Sequence, residues 1–170
     1  TAYEIASCLV GSEMCIRDRI SPKQTEAPVL NRLIKDTAVL KIFHFGRFDI
    51  AALYRTFGAL AKPIYCTKIA SKLIRTYTDR HGLKNLLQEL LDLDISKQQQ
   101  TSDWGLQHLK PAQLDYAASD VLHLHALKEH LDRMLEREQR SEMAQACFEF
   151  LPMRAKLDLA GWPDTDIFSH

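Results

Sequence analysis

An α/β layer architecture is the fold class this chain predicts, and two observations carry it. Short apolar runs alternate with helical patterns, and each helical stretch has one apolar face that must pack against a neighbouring layer. The bulk numbers agree. A chain of 170 residues, 46% apolar and 26% charged, fits one soluble globular domain that buries a core without disulfides.

The elements follow in order. Ser21-Pro22 opens a turn, and Ala27 to Lys35 reads as a helix with Val29, Leu30, Leu33 and Ile34 on one side. AVLKIFHF, from Ala38 to Phe45, reads as a buried strand closed by Gly46. Phe48 to Phe57 is a helix ended by Gly58, Pro63 to Cys66 a second short strand, and Thr67 to about Arg75 the next helix. Gly82 precedes a further helix, LKNLLQELL, and Ser96 to Trp104 is a polar loop. The remainder is helical, from Pro111 to about Arg140 and from Met143 to Leu159, before a tail holding Pro163 and acidic residues. Two strands make a poor sheet. Either the chain is mainly helical, or the other strands belong where TAYEIASCLVGSEMCIRDR stands, a stretch with no sustained period of either kind.

Several classes drop out. No apolar run approaches the length of a membrane span, and no basic segment precedes an apolar one near the start. Cys8, Cys15, Cys66 and Cys147 are scattered without zinc-site spacing, so reduced thiols in a cytoplasmic protein are expected. The net charge is zero, yet Lys62, Lys68, Lys72, Arg75, Arg80 and Lys84 face a single acid, Asp79. Such a strip can track a phosphate backbone, with Lys68, Lys72, Arg75 and Lys84 as contacts; it can equally be a solvated helix face.

The unusual carboxylate is Asp120. At about 100° per residue it shares a face with Leu124, Leu127 and Leu131, with Tyr116 one turn earlier. A carboxylate on an apolar stripe needs a partner, either a buried salt bridge or a metal cation. Tyr116 and Asp120 stand at i and i+4, so phenol and carboxylate can face one small volume. Asp49 follows the first strand in the opening turn of a helix, where it either complements the helix dipole or lies at the strand end, where α/β ligands gather. Two such acids suit hard divalent ions, which take oxygen ligands and, in pairs about 4 Å apart, activate water and stabilise a departing oxygen. His44 at the strand end can be structural or touch substrate. His123 and His125 diverge on their helix and make a poor metal pair. Trp104 can stack a base or fold back as a lid or core plug.

These residues carry a resemblance. KIFHFGRFDIAAL resembles the second exonuclease motif of ribonuclease D-like 3′-5′ exonucleases, and LDYAASDVLHL resembles their third, of the Tyr-x-x-x-Asp type that marks the tyrosine subclass of the DEDD superfamily. YCTKIASKLIRTYTDRHGLKNLLQELL and SKQQQTSDW match in order between them, and QACFEFLPMRAKLDLAGWPDTDIF resembles the end of the short, single-domain bacterial members. The likeness runs from about Ile20 to His170. It implies a ribonuclease H-like fold and Asp49 and Asp120 as metal ligands, with Tyr116 orienting the attacking water. It also implies two Mg²⁺ or Mn²⁺ ions, and the 3′ ends of single-stranded RNA or DNA as substrate.

One departure stands out. The family's first motif is Asp-x-Glu on the central strand, and Asp-x-Glu occurs nowhere in this sequence. CLVGSEMCIRDR resembles a run that recurs at the ends of translated environmental contigs, which points to an artefact over residues 1–19 and to a domain, from 20 on, without its central strand. The expectation is a 3′-5′ exonuclease by descent, inactive or nearly so as this chain. The alternatives are a non-catalytic nucleic-acid-binding module of the same fold, or a helical structural protein in which Asp49 caps and Asp120 is salt-bridged.

Overall fold

The computed structural model describes residues 27–95, 101–104 and 108–169. The segment set apart at 1–19 and the question of a missing central strand lie outside the described residues.

Helix α1 (Pro28–Lys35) opens on a proline, whose fixed φ and missing N–H suit a first helical position. Strand β1 (Lys41–Phe43) is shorter than the expected Ala38–Phe45. Its first residues are held in a turn, because the Asp36 carboxylate accepts the Ala38 N–H at 2.9 Å. Helix α2 (Arg47–Phe57) ends at Gly58, which takes the left-handed conformation at φ 60°. Strand β2 (Ile64–Cys66) then pairs parallel with β1, Lys41 opposite Ile64 and Phe43 opposite Cys66. Parallel neighbours need a crossover, and α2 supplies it. Both strands therefore finish at the same edge.

Helices α3 (Thr67–Ile74) and α4 (Leu83–Leu91) follow, then α5 (Pro111–Leu122), α6 (Leu124–Arg137) and α7 (Ser141–Leu159). All of β2 is buried, and its Tyr65 packs on Phe148 of α7 with ring centroids 4.6 Å apart. Ile50, Leu53 and Phe57 of α2, Leu86 and Leu87 of α4, Leu127, Leu131 and Leu135 of α6, and Leu151 of α7 join one core cluster. Helix α6 lies against α3 and α4, while α7 covers α2.

The long helix expected from Pro111 breaks at His123, whose backbone (φ −100°, ψ 0°) separates α5 from α6. Neither glycine nor proline lies between residues 112 and 137 to signal it. Beyond the break α6 buries Leu124, Leu127 and Leu131, so the single continuous face expected to hold Asp120 with these leucines is interrupted.

Candidate active site

The side chains expected from the sequence to carry chemistry fall into two groups. The first lies at the shared carboxyl edge of β1 and β2. His44 leaves β1 there and Thr67 leaves β2. The Thr67 hydroxyl donates to the Phe43 carbonyl at 3.2 Å, so its oxygen accepts the His44 Nδ1–H at 2.9 Å. That arrangement fixes the tautomer and leaves Nε2 as a bare acceptor. Burial, aided by the positive charge of Lys68, lowers the His44 pKa to about 4, so the ring is neutral around pH 7.

The backbone between His44 and Asp49 is forced. Phe45 stands at φ 62°, a left-handed conformation that a bulky side chain rarely adopts. At Gly46 a Cβ would meet the Phe43 Cβ at 2.6 Å, so only glycine fits beneath that ring. The strained turn exposes two aromatic rings, Phe45 and Phe48, packed edge to face at 5.3 Å. Lys68 Nζ sits 3.7 Å from the Phe45 ring centroid. Asp49 stands in the first turn of α2. Its residue surface is open, yet the protein around the carboxyl raises its pKa by desolvation.

Arg47, two residues earlier, grips Asp158 of α7 through Nε at 2.5 Å and Nη2 at 2.7 Å, and also bonds the Pro163 carbonyl. Arg154 holds the same carboxylate at 2.7 Å. Burial alone would raise the Asp158 pKa; the two guanidinium groups hold it below the usual carboxylate range.

The second group belongs to α5. Tyr116 and Asp120 are half-buried and near enough for the carboxylate to act on the phenol. Desolvation lifts Asp120 to about 6, and burial followed by the Asp120 charge raises Tyr116. Trp104 packs on Tyr116 with centroids 6.0 Å apart, closer to the lid reading than to an open base-stacking platform. No cation offsets Asp49 or Asp120 among the described residues. A pair of desolvated, unpaired carboxylates suits a divalent cation. Among the described residues, however, no three His, Cys, Asp or Glu side chains cluster closely enough to hold one alone.

The basic strip does not survive as a unit. Lys68 stands at the strand edge and Lys72 is exposed one turn on. Lys84 is paired with Asp94 at 2.7 Å. Arg75, expected to touch phosphate, is a correction: its side chain is wholly buried. Its guanidinium bonds both Glu89 oxygens, the Ser71 hydroxyl at 3.1 Å and the Arg80 carbonyl at 2.8 Å. With its donors committed inside the protein, this arginine ties α3 to α4. Sequence reasoning also missed Thr67, Phe45, Phe48, Gln113 and the Arg47–Asp158 clamp. Thr67 had a local signal, a hydroxyl at a strand-to-helix junction; the clamp joins residues 111 positions apart and had none.

Comparison with known proteins now adds weight. A family model described as 3′-5′ exonuclease matches residues 4–136. The chain belongs to the 3′-5′ exonuclease family. A ribonuclease D of Granulibacter bethesdensis is 35% identical over 139 residues, covering 81% of this chain and 35% of that protein. The chain thus spans about a third of the curated ribonuclease D relatives it matches. The structure of Brucella melitensis NrnC superposes with a TM-score of 0.87 at 59% identity, over 89% of this chain and 74% of that one. Escherichia coli RNase D, at 23% identity and a TM-score of 0.69 over 79% of this chain and 36% of that one, shares the fold. The ribonuclease H-like exonuclease fold expected from the sequence is the fold found. No described helix is long and apolar enough to cross a membrane.

Proposed function

We propose that this exonuclease-family domain removes nucleotides from the 3′ end of single-stranded RNA or DNA, with Asp49 and Asp120 as metal ligands and Tyr116 as the group that orients water. The observation that carries the reading is the Tyr116–Asp120 pair: a phenol and a desolvated carboxylate at i and i+4, the latter raised to about 6 with no cation beside it among the described residues. The unpaired charge on Asp49 calls for the same kind of partner.

Asp49 and Asp120 would each offer carboxylate oxygens to Mg²⁺ or Mn²⁺, and in this proposal their helices bring them to one centre from 71 positions apart. Bound divalent ions supply an activated water and charge stabilisation at the departing oxygen. Tyr116 stays protonated around pH 7, since both burial and Asp120 oppose its ionisation. It can therefore hold a water by hydrogen bonding and cannot act as the base. Lys68 and Lys72 offer charge to the phosphate backbone, and neutral His44 an acceptor through Nε2. The exposed Phe45 and Phe48 rings beside Asp49 offer faces for bases. Solved structures of Brucella melitensis NrnC are described as bound to pGG and with bound Mg²⁺, which supports both a nucleotide ligand and a metal for this chain.

A second reading has its own observation. Asp-x-Glu is absent from all 170 residues, which favours a binding module without catalysis. One comparison decides between them: 3′-labelled and 5′-labelled RNA with Mn²⁺, given the chain as it stands and a version carrying an added strand with Asp-x-Glu. We expect near silence from the first, because two carboxylates leave each ion loosely placed, and stepwise 3′ trimming from the second. Silence from both leaves the binding module in front. Robust metal-dependent trimming by the unaltered chain shows that another residue replaces the first motif.

A further inference from the structure

Helix α5 holds a buried amide that neither carboxylate chemistry nor phosphate binding uses. Gln113 is 1% exposed, lies three residues before Tyr116 and seven before Asp120, and so shares their side of the helix. Its two ends do different work. Oε1 accepts the Lys110 N–H at 2.9 Å, which closes the first turn of α5. Nε2 donates to the Ser102 hydroxyl at 3.0 Å and to the Asp103 carbonyl at 2.9 Å. Those two bonds fix the short turn that carries Trp104, and Trp104 lies on Tyr116.

We infer that Gln113 and Trp104 are positioning residues for Tyr116: the Gln113 amide staples the 102–104 turn onto α5, and the turn presses the Trp104 ring against the phenol ring. The value of this for catalysis rests on the exonuclease reading above; the contact itself does not. A tyrosine that orients water must keep one ring orientation, and packing is what locks a half-buried rotamer on a regular helix. A helix cap alone would need only Oε1. The paired Nε2 bonds reach a loop ten and eleven positions back, which capping does not require.

The chemistry of the amide gives a selective test. Gln113→Glu keeps an acceptor for the Lys110 N–H and replaces the donor by an oxygen that faces the Asp103 carbonyl. Ring ¹H–¹³C resonances of the five tyrosines report the Trp104 ring current on Tyr116, identified by its loss in Tyr116→Phe. We expect Trp104→Leu to move the Tyr116 signals, Gln113→Glu to move them the same way, and the double variant to move them no further. Ser102→Ala, which removes one staple bond, gives a smaller shift in the same direction. Tyr116 signals that stay in place in Gln113→Glu but move in Trp104→Leu overturn the staple. Signals unmoved in both overturn the ring contact. Should Gln113→Glu lose helical circular dichroism, Ser102→Ala decides, and an unmoved Tyr116 signal there sinks the inference. No metal or nuclease activity enters these measurements, so failure of the exonuclease reading leaves them interpretable. In a trimming-competent version, Gln113→Glu should lower kcat and leave KM unchanged.

Discussion

The two halves of the candidate site are built by opposite means. At the strand edge, backbone strain and close contact come first, with Phe45 at positive φ and Gly46 admitting no side chain, and a side-chain clamp from Arg47 to Asp158 backs them. On α5 the backbone is an ordinary helix, and side chains do the placing, Gln113 through a loop and Trp104 through its ring. The difference teaches where each half is vulnerable. A strand-to-helix turn that aims a carboxylate stores strain and close contact, so small insults there cost stability. A helix delivers Tyr116 and Asp120 without strain, so damage there should fall on chemistry and leave the fold standing.

The largest expected effect breaks both halves alike. In a trimming-competent version, Asp49→Asn or Asp120→Asn should lower turnover by on the order of 100-fold or more, as the loss of a preorganised charged group does elsewhere. A steady-state trimming assay checks it, and near-normal turnover in either variant removes that residue from the metal centre.

Next come the changes that separate the halves. Arg75→Ala should cost about 3 kcal/mol in urea unfolding, the low end for breaking a buried pair, because Glu89 is partly solvated. Oligonucleotide binding measured on the fraction still folded should be unchanged, in contrast to a surface contact. Gly46→Ala should cost about 1–3 kcal/mol, since its Cβ would overlap Phe43 and the backbone must shift. Trp104→Ala, on the α5 side, should cost less stability than Gly46→Ala while lowering turnover more. The reverse ranking would erase the distinction between the halves.

A pH effect belongs to α5. Asp120 has a folded pKa of about 6, above its ordinary value. Between the ordinary carboxylate range and about pH 6 the native state therefore holds more protons than the unfolded chain, and metal-free stability falls as pH rises through that window. Metal binding runs the other way. Mn²⁺ needs the carboxylate, so its apparent affinity should drop by about tenfold per unit below pH 6. Calorimetric titration at pH 5 and 7 checks the sign, and equal affinities would detach Asp120 from the metal.

The smallest effect concerns Lys68 and Lys72. Replacing either by Gln should reduce the slope of log affinity against log salt by about 1 for a single-stranded oligonucleotide. Lys84→Gln should change it less, since Asp94 already neutralises that ammonium.

What the sequence determined by itself was local. Apolar runs flanked by Gly46, Gly58, Pro63 and Gly82 set the elements within a few residues, because turn chemistry and side-chain period act over one or two turns. The motif spacing around Asp49, Tyr116 and Asp120 was legible for the same reason: each lies in a short segment whose pattern is its own. Tertiary structure decided the rest. It broke the helix at His123, where no glycine or proline marks a stop, and the helix beyond the break buries Leu124, Leu127, Leu131 and Leu135. It withdrew Arg75 from the basic strip, since charge counted along a chain does not say which side of a helix faces Glu89. It joined Arg47 to Asp158 and Gln113 to the Trp104 turn, contacts that exist only once distant segments pack, and no one-dimensional period encodes a partner that folding alone brings near.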